Sequence, residues 1–249
     1  MHYLESSAPG KPMMVLIHGA GGSHRVWPAA LTDLEGMRVV ALDLPGHGQS
    51  APPGRRSVPH YAEAVEAFIK ALELENPILV GHSLGSAIAL VVAHRAVAPV
   101  RGLALLGAGA RMPVGEGLLG GSISSLATAA DFIVDYGFAA AAPELREAIR
   151  NEILSTGATT TFGDFMACNR FDCRLQLPAI AAPSLVITGE QDRLTPARFA
   201  RTLAAGLPHA RLIALDDAGH FAMLEKPNVV AEHVAHFARE LPPSHSQRP

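Results

Sequence analysis

The stretch PILVGHSLGSAIALVVAHR at residues 77–95 places a serine between two glycines, after a β-rich apolar run and before apolar residues at helical spacing. A strand that turns directly into a helix forces the corner residue, Ser83, toward a positive φ, at a cost of about 1 to 3 kcal/mol for a residue other than glycine. Gly81 and Gly85 flank the corner because a side chain there would collide with the neighbouring backbone. The Ser83 hydroxyl then stands at a helix N-terminus, where amides and the helix dipole favour a developing negative charge. The stretch therefore predicts a nucleophile.

Apolar runs and helical patterns alternate along the rest of the chain. The runs end in Gly, Asp or His, and they begin at residues 13, 38, 77, 101, 183 and 210. Such runs predict strands buried on both faces. Helical patterns are found at residues 27–34, 58–74, 84–97, 195–207 and 226–242. The alternation predicts an α/β fold with a mostly parallel central sheet flanked by helices, and function is expected at the C-terminal strand ends.

One long segment interrupts this alternation. Between about Arg111 and Leu177 no convincing strand is found, whereas residues 117–138, 143–157 and 159–172 are typical of short helices. Structureless loops of this length are rare in compact domains. We therefore predict a helical cap insertion over residues 111–177, carried by a single core made of residues 1–110 and 178–249.

A nucleophilic serine requires a base, and the base requires an orienting acid. His220 follows the last apolar run, and Asp192 follows the run before it. The order Ser83, Asp192, His220, with each residue after a strand, is the order that accompanies a strand-turn-helix nucleophile. These three residues are the predicted catalytic residues. Other acids remain alternatives to Asp192, namely Glu190, Asp216, Asp217 and, more remotely, Glu116.

A Gly-rich turn offers the remaining part of the machinery. The sequence HGAGGSHRVW, which begins at His18, can present backbone amides after the first apolar run. The amide of Leu84 comes from the serine turn itself. The amides of Ala20 and Leu84 are therefore the predicted oxyanion-hole donors.

Taken together, the motifs HGAGG, DLPGHGQS, GHSLGS, GEQDRLTP and GHF resemble the α/β-hydrolase superfamily, in its compact, capped, esterase-like branch. The resemblance covers nearly the whole chain outside the insertion. It implies the α/β-hydrolase fold and serine-based hydrolysis, and it says little about the substrate. Ser86 departs from the pattern, because many relatives have a further glycine there. The insertion matches no particular substrate class.

Hydrolysis of a carboxylic ester is the first expectation, because a serine, a base and an oxyanion hole stabilise a tetrahedral intermediate. Lactones and thioesters could use the same residues. Carbon-carbon bond hydrolases of this fold typically carry Asn before the nucleophile and Trp after the histidine, where this chain has His82 and Phe221. Arg170 keeps that alternative open, because a cation could hold a carboxylate. A protein of another class, a ligand sensor with a retained triad, also remains open.

Several side chains are candidates for substrate contact, or alternatively for the hydrophobic core. These are Trp27, Met112, Phe132, Phe138, Arg170 and Phe221.

No cofactor or metal is predicted. The sequence GAGGSH with Asp43 resembles the start of a dinucleotide-binding motif, but His24 replaces its third glycine. His233 and His236 lie about one turn apart on the last predicted helix, yet no carboxylate motif or third ligand accompanies them.

Composition narrows the class of partner. The formal net charge is −3, and the 20 Lys and Arg residues are scattered, which disfavours binding to nucleic acid or an anionic membrane. A small neutral or weakly charged ligand is expected. No signal-peptide pattern or membrane-spanning run is found, so we expect a cytoplasmic protein. The two cysteines, Cys168 and Cys173, are expected to be free thiols. The oligomeric state is not predicted.

Overall fold

A β-sheet of seven strands is the central element of the described chain, which comprises residues 1–6, 13–140 and 142–242 of a computed structural model. The strands are β1 (Tyr3–Glu5), β2 (Met13–Ile17), β3 (Arg38–Leu42), β4 (Ile78–His82), β5 (Gly102–Leu106), β6 (Ser184–Gly189) and β7 (Ala210–Leu215). Their order is β1-β3-β2-β4-β5-β6-β7. β1 is antiparallel to β3, and every other pair is parallel. The predicted α/β class and mostly parallel sheet are confirmed.

The first strand is an addition to the six that the sequence predicts. β1 has only three residues, none of which is fully buried, and it pairs along one edge of the sheet. A strand this short and exposed has no apolar run that could reveal it. The antiparallel pairing covers the free edge of β3, where the residues Tyr3, Leu4 and Glu5 face Leu42, Ala41 and Val40.

Helices cover both faces of the sheet. Within the described residues they are α1 (Ala29–Thr32), α2 (Val58–Ala71), α3 (Leu84–Arg95), α4 (Glu116–Ser124), α5 (Leu126–Gly137), α6 (Pro143–Thr156), α7 (Ala158–Arg170), α8 (Ala197–Gly206), α9 (Ala222–Glu225) and α10 (Pro227–Glu240). The apolar side chains of α2, α3 and α8 share one core cluster with Val15 and Ile17 of β2. Those of α1 and α10 share a second cluster with Met14 and Leu16. Because side chains alternate along a strand, both faces of β2 are buried, as its apolar run predicts.

Four helices, α4 to α7, lie between β5 and β6, although these two strands pair directly with each other. We call α4–α7 the four-helix segment. An isolated antiparallel bridge between Arg111 and Asp172 brings its two ends together. The helical pattern at residues 117–138 is divided at Ser125, whose Oγ accepts a hydrogen bond from the Thr128 amide at 3.4 Å. Serine is a strong N-cap, so it ends one helix and begins the next.

Two further expectations concern single features. Cys168 and Cys173 are both free and buried, as expected. Burial raises the pKa of the Cys168 thiol, which keeps it protonated and poorly nucleophilic. None of the described helices combines the length and the apolar character that crossing a bilayer demands.

Candidate active site

Ser83 lies at a sharp turn between β4 and α3. Its backbone has φ 52° and ψ −114°, in the strained region that the sequence predicts. A Cβ atom on Gly81 would lie 2.4 Å from the Gly85 carbonyl oxygen, and one on Gly85 would lie 1.9 Å from the carbonyl oxygen of Ile17. Neither position can hold a side chain. The two glycines therefore permit α3 to approach β2 and β4 closely. This approach places Ser83 at the C-terminal end of β4.

Ser86 fixes this turn from beneath. Its Oγ lies 2.7 Å from the Gly81 carbonyl oxygen and 3.1 Å from that of Leu106. The side chain is fully buried. A glycine at this position could donate neither hydrogen bond. Ser86, which stands where many relatives have glycine, therefore adds a hydrogen-bonded contact between α3 and the ends of β4 and β5.

Asp192 and His220 form a buried hydrogen-bonded pair. Asp192 follows β6 and His220 follows β7, and Asp192 Oδ2 lies 2.9 Å from His220 Nδ1. Asp192 Oδ1 accepts hydrogen bonds from the amides of Leu194 at 2.8 Å and Thr195 at 2.7 Å. Thr195 Oγ1 donates to Oδ2 at 2.7 Å. An ionised carboxylate suits this set of donors, and it fixes Nδ1 of His220 as the protonated nitrogen.

The charge of Asp192 is stabilised despite its burial. Burial by itself would raise the pKa of this carboxyl. Electrostatic attraction to the His220 ring and the hydrogen bonds from His220 and Thr195 outweigh burial, so the pKa of Asp192 is lowered. Asp192 is therefore an anion at neutral pH, suited to orient and stabilise an imidazolium.

The alternative acids lie elsewhere. Asp216 and Asp217 are exposed in the turn after β7, and Glu116 is exposed at the start of α4. Glu190 is exposed and forms an ion pair with Arg201. Among these five acids, Asp192 is the one in contact with His220.

Two other histidines near Ser83 are neutral. His82 Nε2 donates to the carbonyl oxygen of His220 at 3.0 Å. His18 Nδ1 donates to the Gly19 carbonyl oxygen at 2.8 Å, and its Nε2 accepts from the Leu44 amide at 3.0 Å. Burial and a neighbouring histidine lower the pKa of each ring to about 3. These rings hold the backbone around the site and are poor bases.

A tight loop, residues 19–22, passes beside the serine. A Cβ on Gly19 would lie 2.9 Å from His82 Nδ1 and 3.2 Å from Ser83 Cβ. Within the described residues, neither the Ala20 amide nor the Leu84 amide donates a hydrogen bond. Ala20 also lines the cavity described next. The Ala20 amide thus lies on a residue of the cavity wall, whereas Leu84 is fully buried and is not among the residues that line the cavity.

A cavity of about 590 Å³ opens above these residues and includes both Ser83 and His220 in its wall. The four-helix segment supplies much of the cavity wall. Its contributions are largely apolar: Leu118, Ala129, Phe132, Ile133, Ile149, Ile153 and Phe165. The charged residues of the wall are Glu152 and Arg193. A mainly apolar pocket with few polar groups is typical of a small-molecule site.

Half of the predicted substrate-contact residues line this cavity. Met112, Phe132 and Phe221 do so. Trp27 does not, because it belongs to the core cluster that includes Met14 and Leu31 and borders a smaller surface cavity. Phe138 is also a correction, since it is fully buried and stacks on Phe221 with ring centroids 4.9 Å apart.

Arg170 is the third correction. It is exposed at the last position of α7 and does not line the cavity. The charged group that the sequence interpretation missed is Arg193, which directly follows Asp192 and lies 4.7 Å from the ring centroid of Tyr136. Its position after the predicted acid was the available signal. Ile149, Glu152 and Ile153 were also missed, although their helical spacing marks one face of α6.

One cluster has the residue types of a metal site. The side chains of His2, His24 and Asp43 place possible ligand atoms within 4.8 Å of one another. The Asp43 carboxylate accepts hydrogen bonds from both rings and from the amides of His24 and Gln49. These hydrogen bonds give the cluster a structural role, because they hold the loop after β3 in place.

Comparison with known proteins places this architecture among hydrolases. The chain is 31% identical to a pimeloyl-[acyl-carrier protein] methyl ester esterase from Xanthomonas campestris pv. campestris, over 93% of this chain and 96% of the relative. It is 29% identical to a 2-hydroxymuconate semialdehyde hydrolase from Pseudomonas putida, over 98% and 92% of the two chains. The structure of the enol-lactonase from Burkholderia xenovorans LB400 superposes with a TM-score of 0.89 at 25% identity, covering 96% of each chain.

The names of these relatives describe different reactions. Alpha/beta hydrolase structures carry a mostly parallel sheet flanked by helices, as found here. The sequence model of the alpha/beta hydrolase family matches residues 14–233. That span includes the serine turn, both loops with Asp192 and His220, and the four-helix segment. The chain belongs to the alpha/beta hydrolase family.

Proposed function

We propose that this protein is a serine hydrolase that cleaves small to medium carboxylic esters through an acyl-enzyme on Ser83. One observation carries the proposal. A strained serine at a helix N-terminus shares a cavity with His220, whose Nδ1 is held by the buried carboxylate of Asp192. Strain of this kind at a non-glycine residue is retained where function requires it.

The proposed chemistry assigns one role to each group. His220 Nε2 takes the proton from Ser83 Oγ as Oγ bonds to the ester carbonyl carbon, and the carbonyl electrons move to oxygen. The amides of Ala20 and Leu84 donate to this oxyanion. His220 then protonates the departing alkoxide, and the alcohol leaves. Water, deprotonated by His220, attacks the acyl carbon, and Ser83 regains its proton as the acid is released. Asp192 stays ionised throughout.

The substrate preference is proposed from the cavity wall. We infer that the four-helix segment acts as a cap, since it supplies much of the apolar cavity wall. Each methylene that enters such a wall contributes about 0.8 kcal/mol until the space is full. Esters of short to medium acyl chains are therefore the expected substrates, with long-chain triglycerides and amides poor.

A carbon-carbon bond hydrolase is the second candidate. Arg193 lines the cavity and could bind a substrate carboxylate, a role for which Arg170 is badly placed. The 29% identity to a 2-hydroxymuconate semialdehyde hydrolase agrees with this alternative. His82 and Phe221 next to the two proposed catalytic residues weigh against it.

A substrate panel tests these candidates. The purified protein is assayed with aryl esters from acetate to dodecanoate, a thioester, a lactone, an amide and a vinylogous 1,5-diketone carboxylate, with Ser83→Ala as the blank. The proposal requires multiple turnovers of an ester and labelling of Ser83 by a fluorophosphonate. Preference for the diketone carboxylate, lost in Arg193→Gln, would replace it by the second candidate. Binding with at most one slow turnover would instead indicate a ligand sensor.

A further inference from the structure

The four-helix segment holds the loop beside Ser83 at a single residue, Gly21. The Gly21 amide donates to Asp164 Oδ2 of α7 at 2.8 Å. The Gly21 carbonyl oxygen accepts a hydrogen bond from Thr156 Oγ1, at the end of α6, at 3.0 Å. Gly21 has φ +67°, and a Cβ there would lie 3.1 Å from Ile153. Two side chains of the segment thus satisfy both the amide and the carbonyl of the residue that follows Ala20.

Asp164 is a fully buried carboxylate with three donors. Besides the Gly21 amide, Oδ2 accepts from His47 Nε2 at 2.8 Å, and Oδ1 accepts from the Tyr61 hydroxyl at 2.5 Å. Tyr61 belongs to α2, and His47 lies in the loop after β3. The carboxylate of a helix in the four-helix segment is therefore bound by the core and by the loop beside Ser83 at once.

His47 supplies the charge that makes this burial possible. Its Nδ1 donates to the Pro45 carbonyl oxygen at 3.1 Å while Nε2 donates to Asp164. A ring that donates from both nitrogens is an imidazolium. Burial alone would lower the pKa of His47, but the charge of Asp164 and the hydrogen bond to it outweigh burial, and the pKa is raised. A buried carboxylate without such a partner would be strongly unfavourable.

We propose that Asp164 and Thr156 are positioning residues that hold the Ala20 amide in place to receive an oxyanion. The four-helix segment then contributes to the chemical step as well as to substrate fit. The inference rests on the proposed serine hydrolase function. Because Ala20 and Gly21 are consecutive, a shift of the Gly21 peptide moves the Ala20 amide with it, and oxyanion stabilisation depends steeply on donor placement.

The variant Asp164→Asn tests the proposal with little change in volume. The Asn side chain has one acceptor oxygen and no charge. If that oxygen takes the place of Oδ2, Gly21 and His47 keep only a neutral acceptor and the NH₂ group faces the Tyr61 hydroxyl; if it takes the place of Oδ1, the NH₂ group faces Gly21 and His47 and cannot accept from them. The hydrogen bond to the Gly21 amide is weakened in the first orientation and lost in the second. Affinity is measured for two ketones of the same alkyl chain. A trifluoromethyl ketone bonds through its carbonyl carbon to Ser83 Oγ, whose proton passes to His220, and its oxygen becomes an oxyanion. The plain methyl ketone measures ground-state affinity.

We expect Asp164→Asn to lower kcat by about ten- to a hundredfold, and to weaken the trifluoromethyl ketone by a similar factor. KM and the affinity for the methyl ketone should change by less than about twofold. Thr156→Val removes a single neutral hydrogen bond, so we expect about a two- to tenfold loss in the same two quantities. This second variant keeps the test decisive if Asp164→Asn fails to fold.

Asp131→Asn is the matched control. It removes a carboxylate from the same segment, where Asp131 of α5 pairs with Arg150 at 2.6 Å on the surface. We expect kcat and both affinities to remain unchanged. If Asp164→Asn and Thr156→Val raise KM alone and leave the trifluoromethyl ketone affinity intact, the positioning role is wrong. If the wild-type protein itself neither turns over esters nor binds that ketone, the proposed function fails first.

Discussion

The sheet core and the four-helix segment differ in how much each constrains its residues. In the core, β4 is buried at all of its residues, and a Cβ on Gly85 would lie 1.9 Å from a backbone oxygen. In the four-helix segment, α4 has Ser122 as its single buried residue, and a Cβ on Gly117, Gly120 or Gly121 would meet nothing within 4 Å. The proposed reacting groups lie in the tightly packed core, and the four-helix segment, which supplies much of the cavity wall, is packed less tightly. This division allows related proteins to share a site and differ in substrate.

The two regions are nevertheless joined at both sides of Ser83. Gly21 is held by Asp164 and Thr156 on one side. On the other, the His220 amide donates to the Gly137 carbonyl oxygen, at the end of α5, at 2.7 Å. The loops that flank Ser83 therefore lie outside the four-helix segment in the sequence, yet both of them form hydrogen bonds with it. If the four-helix segment affects the chemical step through these hydrogen bonds, substitutions at them should change kcat, whereas substitutions in the cavity wall should change substrate preference.

The largest effect is expected in the core. Ser83→Ala and His220→Ala should each lower kcat by about a millionfold, and Asp192→Asn by about ten-thousandfold, because the three proposed catalytic groups are expected to act as one unit. Thermal unfolding should show that each variant remains folded. The double variant Ser83→Ala/His220→Ala should lose no more than either single variant. Near-normal turnover by Ser83→Ala, or additive losses, would contradict the assignment.

A pair of glycine substitutions should sharpen the contrast in rigidity. Gly85→Ala should destabilise the fold by more than about 4 kcal/mol, because its Cβ has no space beside Ile17. Gly120→Ala lies within α4 in open space and should increase the free energy of unfolding by about 0.5 to 1 kcal/mol. Urea denaturation of both variants provides the measurement. A stable Gly85→Ala variant, or a strongly destabilised Gly120→Ala variant, would show that the two regions do not differ in how tightly they constrain their residues.

Sequence patterns predicted the core far better than the contacts between the regions. Ser83, Asp192 and His220 follow from strand ends and local turn chemistry, which short stretches encode. The helix predicted at residues 27–34 is reduced to α1, Ala29–Thr32, and begins after Pro28, which has no helical backbone. Arg170 was misplaced because helical spacing does not say which face of α7 meets the cavity.

The hydrogen bond between Asp164 and the Gly21 amide could not be predicted from the sequence, for a different reason. The two residues are 143 positions apart, and their contact depends on how α7 packs over the core. Nothing local distinguishes Asp164 from a solvated helix charge. The HGAGG and GHG motifs located the residues Gly21 and His47, but the carboxylate that binds both is identified by three-dimensional packing alone.

A smaller effect is expected from the ion pair that joins the regions. His47 binds its proton more tightly in the folded state than in the unfolded chain, since its folded pKa is raised. Its contribution to stability is therefore complete below about pH 6.5 and is lost as the pH rises through the folded pKa. The groups that face the ring are Asp164, His18, Tyr61 and, at longer range, Asp43.

Urea denaturation of wild type and His47→Gln between pH 6 and pH 9.5 checks this linkage. The wild type should be the more stable protein at pH 6, and the difference in free energy of unfolding should shrink as the pH rises. His209→Gln, at an exposed position after α8, is the control and should show no such trend. A difference that grows with pH would mean that His47 is neutral in the folded protein.

The smallest effect is expected from a substitution in the cavity wall, which should change substrate fit and leave the chemical step intact. Ile149 of α6 lines the cavity and is 5% exposed, so Ile149→Ala should enlarge the acyl site by about three carbons. The acyl length that gives the highest kcat/KM should then increase by two or three carbons. Short esters that lose one methylene-sized contact should lose about fourfold in kcat/KM, chiefly through KM. Ile123→Ala is the matched control, because Ile123 is 62% exposed and does not line the cavity. If the acyl length that gives the highest kcat/KM did not change, α6 would not limit the length of the acyl chain. A fall in kcat close to that of Asp164→Asn would show instead that the wall and the oxyanion loop move together, and that fit and chemistry cannot be separated in this segment.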